Sequence, residues 1–232
     1  MTLDPRRARL WSALGLGPVW SLRGSVDSAV ELTRADRIAR MDWDALERAV
    51  AGCTACELSR TRHRTVFGVG HRAAEWMLVG EAPGAEEDAR GEPFVGQAGR
   101  LLDNMLDAVG LTRGGTTARS VYIANVLKCR PPGNRNPEPG EVALCDPFLK
   151  RQIELIKPKI VLVMGRFATQ SLLGTDASIA SLRGKVHRID VAGRSVAVVV
   201  TYHPAYLLRS PLAKATAWTD LCLVKDLLSA TP

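Results

Sequence analysis

Three observations predict an α/β sandwich built on a mostly parallel sheet. Four short apolar runs, Trp76–Val79, Val121–Val126, Ile160–Met164 and Val196–Thr201, have the length and β-branched content of buried strands. Between and after them, leucines, isoleucines and valines recur at helical spacing. The composition, 46% hydrophobic and 24% charged over 232 residues, suits one globular core and excludes a disordered chain or a collagen-like fibre. Strand alternating with helix is the pattern of parallel crossovers.

Residues 1–40 carry seven arginines against four acids and show no sheet pattern. They read as an N-terminal extension, partly disordered or lightly packed, ahead of a domain spanning residues 41–232. Arg6, Arg7 and Arg9 precede an apolar stretch from Leu10 to Leu22 and imitate a secretory signal, but Gly15, Gly17 and Pro18 interrupt it and no small-residue cleavage site follows. No apolar run approaches the roughly 18 residues that cross a bilayer, so a cytoplasmic location is expected. Asp42 is placed to cap a helix running to about Val50, with Leu46 and Val50 on one face. Leu101, Leu102, Met105, Leu106 and Val109 mark a helix after the first strand, and Val142 to Ile156 another after the second. A third spans Arg166 to Leu173. The last, about Leu212 to Leu228, has Leu221, Val224, Leu227 and Leu228 at helical spacing, with Cys222 read as a core thiol. Pro131 to Pro137 is a loop by its turn chemistry.

Ligands in open α/β sheets bind beyond the carboxyl ends of the strands, and the unusual residues gather there. The first strand runs into Gly80-Glu81-Ala82-Pro83-Gly84 and then Glu86, Glu87 and Asp88; the second closes on Asn125 and leads to Lys128-Cys129-Arg130. The third ends in Gly165-Arg166 and the fourth in Tyr202-His203-Pro204. The first segment lacks the lysine of a phosphate-cradling loop, and its four carboxylates would repel phosphate. Glu86 and Asp88 suit a helix N-terminus; Glu81, directly on the strand exit, does not fit that explanation. His203 falls at the same sheet end as Glu81, whereas His63, His71 and His187 read as surface groups.

Cys53-x2-Cys56, followed by Cys129 and Cys145, supplies four thiols that a fold can bring together. A reducing compartment disfavours disulfides, and the spacing fits either structural zinc or an iron–sulfur cluster. Such a metal would tie the helix before the first strand to the loop after the second, away from Glu81 and His203, in a structural role. The net charge of +7 suggests an anionic partner, although arginine supplies 24 of the 31 cations and such a bias also follows from base composition.

Gly80-Glu81-Ala82-Pro83-Gly84, Pro93-Phe94-Val95-Gly96, Asn125-Val126-Leu127-Lys128-Cys129-Arg130-Pro131-Pro132 and His203-Pro204-Ala205-Tyr206-Leu207-Leu208 resemble the family 4 uracil-DNA glycosylases. So does the order of the four cysteines, and the likeness covers roughly Asp42 to Leu228. The resemblance implies a three-layer sandwich with a four-stranded, mostly parallel central sheet flanked by helices. It also implies a [4Fe-4S] cluster on Cys53, Cys56, Cys129 and Cys145, and a monomer that hydrolyses deaminated uracil from single- or double-stranded DNA to begin base-excision repair.

In the roles carried over from that family, Ala82 belongs to the uracil-binding set and Phe94 stacks on a flipped uracil. Asn125 reads uracil N3–H and O4, and Glu87 crowds C5. His203 stabilises the departing base at O2, and Glu81 orients water or balances the sugar cation. Lys128, Arg130, Arg135, Arg166 and Arg209 are expected to meet phosphates, and Leu207, Leu208 or Arg209 to wedge the vacated stack. Ala205 stands where the family commonly has serine. The stretch from Arg130 to Pro137 holds no histidine, which sets this chain apart from a branch that bonds covalently to DNA, and Glu81 sets it apart from a branch lacking that carboxylate. Two other readings fit the residues: a cluster-bearing DNA-binding or polymerase-associated module without turnover, and a zinc-stabilised nucleotide-binding protein.

Overall fold

The computed structural model describes residues 5–16, 32–115 and 119–229, and the chain divides into two compact units, Met1–Arg34 and Ala35–Pro232. In the first, helix α1 (Pro5–Ala13) leaves Leu10 exposed, as is Leu14 just after it. Helices α2 (Arg34–Ala39), α3 (Trp43–Ala51) and α4 (Leu58–Thr61) come next, then strands β1 (Val69–Gly70) and β2 (Trp76–Gly80), and helices α5 (Ala85–Arg90) and α6 (Gln97–Ala108). Strand β3 (Val121–Asn125), helix α7 (Pro139–Ile156), strand β4 (Ile160–Met164) and helices α8 (Arg166–Leu173) and α9 (Ile179–Leu182) follow. Strands β5 (Val186–Val191) and β6 (Arg194–Thr201) and helices α10 (Pro204–Arg209) and α11 (Ala213–Ser229) complete the chain.

The four apolar runs are β2, β3, β4 and β6, and they pair in parallel in the order β3-β2-β4-β6. Every residue of β2, β3 and β4 is buried, which is why these strands are continuous apolar runs and not alternating ones. The sheet nevertheless has six strands, not the four expected. β1 adds antiparallel to β3 at one edge and β5 antiparallel to β6 at the other. Two residues of β1 are too few to make a pattern. β5 carries His187, Arg188 and Asp190 on a half-exposed edge, so it lacks the apolar signal of the inner strands. It joins β6 through Ala192-Gly193, both at positive φ (53° and 76°), the backbone of a tight hairpin turn.

Alternate residues of the inner strands feed two cores. On one face Met77, Val79, Tyr122 and Ala124 pack with Leu149, Ile153 and Ile156 of α7 and Ala168 of α8. On the other, Trp76, Leu78, Val121 and Ile123 meet Leu102 and Leu106 of α6 and Leu221 and Val224 of α11. The sheet is therefore covered on both sides. Asp42 caps α3 as expected, its carboxylate accepting from Ala45 N at 2.8 Å, and Leu46 and Val50 are buried beside Ile38 and Phe148. Buried Asp220 of α11 accepts from Thr201 Oγ1 (2.8 Å) and pairs with Arg183, which pins α11 to the end of β6. Cys222, expected in the core, is half-buried. Among the described residues no helix is long and apolar enough to cross a membrane.

Candidate active site

A cleft of ≈ 810 Å³ opens where β2, β3, β4 and β6 end, and Glu81, Asn125, Gly165 and His203 line it from those four strands. Register brings Gly80 opposite Asn125. A Cβ at Gly80 would lie 2.5 Å from Asn125 Oδ1 and 2.8 Å from the Phe94 ring, so only glycine lets the amide and the ring approach here. Asn125 is 2% exposed, and its Oδ1 has no hydrogen-bond partner among the described residues. A buried acceptor left this way is costly unless a ligand or a water in the cleft supplies a donor.

The loop Pro93–Gly96 presents Phe94, whose ring is buried and stacks on the His203 ring at 5.3 Å with 28° between the planes. Phe94 has φ +56°, a left-handed backbone that a non-glycine residue adopts only when its surroundings impose it. Glu87 is one of those surroundings. Its Oε1 accepts from Val95 N (2.9 Å) and Gly96 N (3.2 Å), and its Oε2 from Gly84 N (3.1 Å). One carboxylate thus joins the two loops that border the cleft, and Glu87 itself lines it.

His203 caps α10. Ala205 N donates to its Nδ1 at 3.1 Å, which makes Nδ1 the acceptor and leaves the proton of the neutral ring on Nε2. Burial pushes the His203 pKa down to about 4; the Arg209 charge lowers it further and Glu87 opposes. The ring is therefore a neutral donor at physiological pH. Burial raises the pKa of Glu81, and Arg166 counteracts. Ala82 lines the cleft beside it.

The expected phosphate contacts divide. Arg166 and Arg209 are exposed on the cleft, and Arg135 lines it while gripping Glu141 through Nη2 at 2.6 Å. Arg130 is half-buried, with Nε donating to Asn134 Oδ1 at 2.7 Å. Lys128 contradicts the expectation. It is 1% exposed, and its Nζ donates to Asn125 O (2.8 Å) and Gln152 Oε1 (2.6 Å), so it holds the loop behind Asn125 and cannot meet phosphate. Leu207 is corrected likewise. It is a buried residue of α10, which packs on α6, while Leu208 and Tyr206 of the same helix are exposed. His63 is exposed and His71 and His187 are half-buried, all outside the cleft.

None of the five cysteines forms a disulfide. Cys56, Cys129 and Cys145 pack around Leu58 and Leu127, and Cys53 and Cys145 around Phe148. Burial pushes the Cys145 thiol up to about 11, with Lys128 opposing and Cys129 and Cys53 adding. Burial also raises Cys129, which accepts from Arg62 Nη1 at 3.0 Å. The four thiols thus lie within electrostatic reach of one another and of two cations, a donor set that suits a thiolate-bound metal centre. Among the described residues no three His, Cys, Asp or Glu form a group that could hold a metal ion as they stand. The cysteines are not remote from the cleft, as the spacing had suggested. Ala82, which lines the cleft, packs against the small cluster of Leu58, Leu127 and Cys129 that Cys56 and Cys145 also join, because the segment after β3 runs beside the exit of β2 through Leu127 N to Glu81 O at 3.0 Å.

Several residues escaped sequence reasoning. Asp88, assigned to decorating a helix end, is 1% exposed and accepts from His63 N and Arg64 N. Arg62 and Arg113 carried no signal, since no sequence spacing pairs Arg62 with the Cys129 sulfur and Cys53 O, or Arg113 with the carbonyls of Pro93 and Phe94.

Fold and cleft together define an α/β protein with a strand-end pocket lined by Glu81, Phe94, Asn125 and His203. Residues 67–223 match the Uracil DNA glycosylase superfamily. The chain is 42% identical over 188 residues to the Type-4 uracil-DNA glycosylase of Archaeoglobus fulgidus, covering 79% of this chain and 92% of that protein. It is 40% identical over 194 residues to that of Saccharolobus solfataricus (82% and 88% covered). With that of Thermotoga maritima it shares 43% over 168 residues (72% and 83% covered). This chain belongs to the uracil-DNA glycosylase superfamily.

The depressed His203 pKa has a consequence for stability. An unfolded histidine titrates at its ordinary 6.5 and the folded one at about 4, so between these values the unfolded chain binds more protons. The contribution is complete above pH 6.5 and is lost as pH falls toward 4. Urea unfolding of His203→Gln should show a shallower loss of stability across that window than the parent protein. Parallel curves would show that His203 is not held neutral by burial.

Proposed function

We propose that this chain is a monofunctional uracil-DNA glycosylase, hydrolysing the N-glycosidic bond of deaminated uracil in single- or double-stranded DNA and so initiating base-excision repair. The carrying observation is the unpartnered Oδ1 of Asn125 in a cleft that also holds a neutral His203. Uracil N3–H supplies the donor that Oδ1 lacks, while the amide nitrogen donates to O4. Cytosine presents the opposite pattern and would leave both amide groups unpaired.

The base enters after flipping from the stack, at a cost of a few kcal/mol. Stacking on Phe94 offsets about 1–3 kcal/mol of this. Ala82 lines the cleft and Glu87 limits the space at C5 while bracing both loops. As the bond to the sugar breaks, negative charge grows on the base, and His203 Nε2–H donates to O2. A preorganised donor of this kind contributes on the order of 3 kcal/mol. Glu81 orients the attacking water or balances the cationic sugar, with Arg166 favouring its ionised form. Arg130, Arg135, Arg166 and Arg209 take phosphates, and Leu208 with Arg209 fills the gap left by the base. The protein acts as a cytoplasmic monomer, with an N-terminal extension to a catalytic domain that takes in Ile38 as well as residues 41–232.

Cys53, Cys56, Cys129 and Cys145 would hold a [4Fe-4S] cluster. When bound, it supplies a staple between the segment after α3, the segment after β3 and α7, and it is not a reacting centre. Such a staple would steady the segment leading from Asn125, and Arg62 donates to the Cys129 sulfur on that segment.

Single-turnover assays on uracil-containing oligonucleotides test the site. Asn125→Ala and His203→Ala should each slow uracil release by about 10²–10³-fold with the fold retained. Unchanged rates would remove both from the site, and tight binding with no base released by the parent protein would favour a non-catalytic module. Anaerobically purified protein should be brown from thiolate-to-iron charge transfer and should lose that colour in Cys145→Ser. Colourless protein containing zinc would overturn the cluster.

A further inference from the structure

We infer that Arg113 is a positioning residue for base binding, acting through the backbone of Phe94; this rests on the stacking role proposed for that ring. Arg113 does not line the cleft. Its guanidinium is nevertheless largely buried, and it donates from Nη1 to Pro93 O at 2.9 Å and from Nη2 to Phe94 O at 3.1 Å. Asp103 of α6 aims the fork by accepting from Nε at 2.8 Å, and Glu92 accepts from Nη1 at 3.4 Å.

The polarity of the clamp is what singles this arginine out. The two carbonyls at and before Phe94 are held by a cation, and the two N–H groups after it by the Glu87 carboxylate. Oppositely charged side chains therefore grip the two sides of one residue whose φ is +56°. Gly99 completes the slot, since a Cβ there would lie 1.7 Å from Phe94 O. Without the fork, the turn loses the partners of both carbonyls and Phe94 is free to relax toward negative φ, which swings its ring away from His203. Lysine keeps the charge opposite Asp103 and Glu92 but cannot span two carbonyls in a planar fork.

The test uses the full-length protein, with free uracil as competitive inhibitor of base release and amide hydrogen exchange as a readout independent of activity. Arg113→Lys should raise the inhibition constant of uracil about tenfold and speed exchange at Val95 and Gly96, with its melting temperature near that of the parent. Phe94→Ala should also raise the inhibition constant, and Arg113→Lys added to it should change that constant by less than twofold. An unchanged inhibition constant in Arg113→Lys would overturn the inference, as would the same tenfold loss in the Phe94→Ala background, which marks a general structural role. Arg113→Ala extends the series if it folds; Arg113→Lys decides the matter if it does not. A parent protein that neither releases uracil nor binds it would refute the functional reading instead. In that case exchange at Val95 and Gly96 alone decides the clamp, and unaltered protection refutes it.

Discussion

The cleft depends on how closely β2 and β3 approach where they end. Parallel pairing in register sets Gly80 beside Asn125, and the missing side chain at Gly80 is the space into which the Asn125 amide and the Phe94 ring fit. Asn125 and Phe94, both of which line the cleft, are arranged around that gap. Lys128 holds Asn125 from behind through its carbonyl, and Gln152 holds Lys128 while donating to Phe67 O and Tyr122 OH. A buried polar chain of this kind is stable only when each member is satisfied, and Asn125 Oδ1, which lies on the cleft, is left without a partner among the described residues.

Charge in the site is arranged by distance from water. His203 is kept neutral by burial, so it can donate from Nε2 without carrying a charge into the cleft. Glu87 is spent on three backbone N–H groups. The exposed cations, Arg166 and Arg209, stand on the rim. This separation lets a protein of modest net positive charge meet an anionic backbone while keeping its acids in the pocket.

The inner strands were legible in the sequence because burial on both faces makes an unbroken apolar run, and the strand-end rule then located Glu81, Asn125 and His203 in one place. The edge strands were not. β5 carries the polar residues of a half-solvated strand, and β1 is too short to show any period. Lys128 and Leu207 were misjudged for a related reason. Each follows a site residue closely in sequence, yet its partners lie far along the chain: Gln152 for the lysine, and α6 for the leucine. The left-handed Phe94 had no sequence signal, since what imposes it is Arg113, Glu87 and Gly99 acting together in space. The cysteine order predicts a metal centre remote from the strand-end residues, whereas the cleft residue Ala82 packs on the same cluster as Cys129 once the segment after β3 lies along the exit of β2.

On the proposed function, the gap at Gly80 gives the Asn125 amide its access to the base. Single-turnover uracil release by Gly80→Ala, with circular dichroism as a check on the fold, tests it most directly. A methyl group there displaces the amide and the ring by about an ångström, so the rate should fall about 10²-fold while the fold persists. A rate equal to that of the parent would contradict the account.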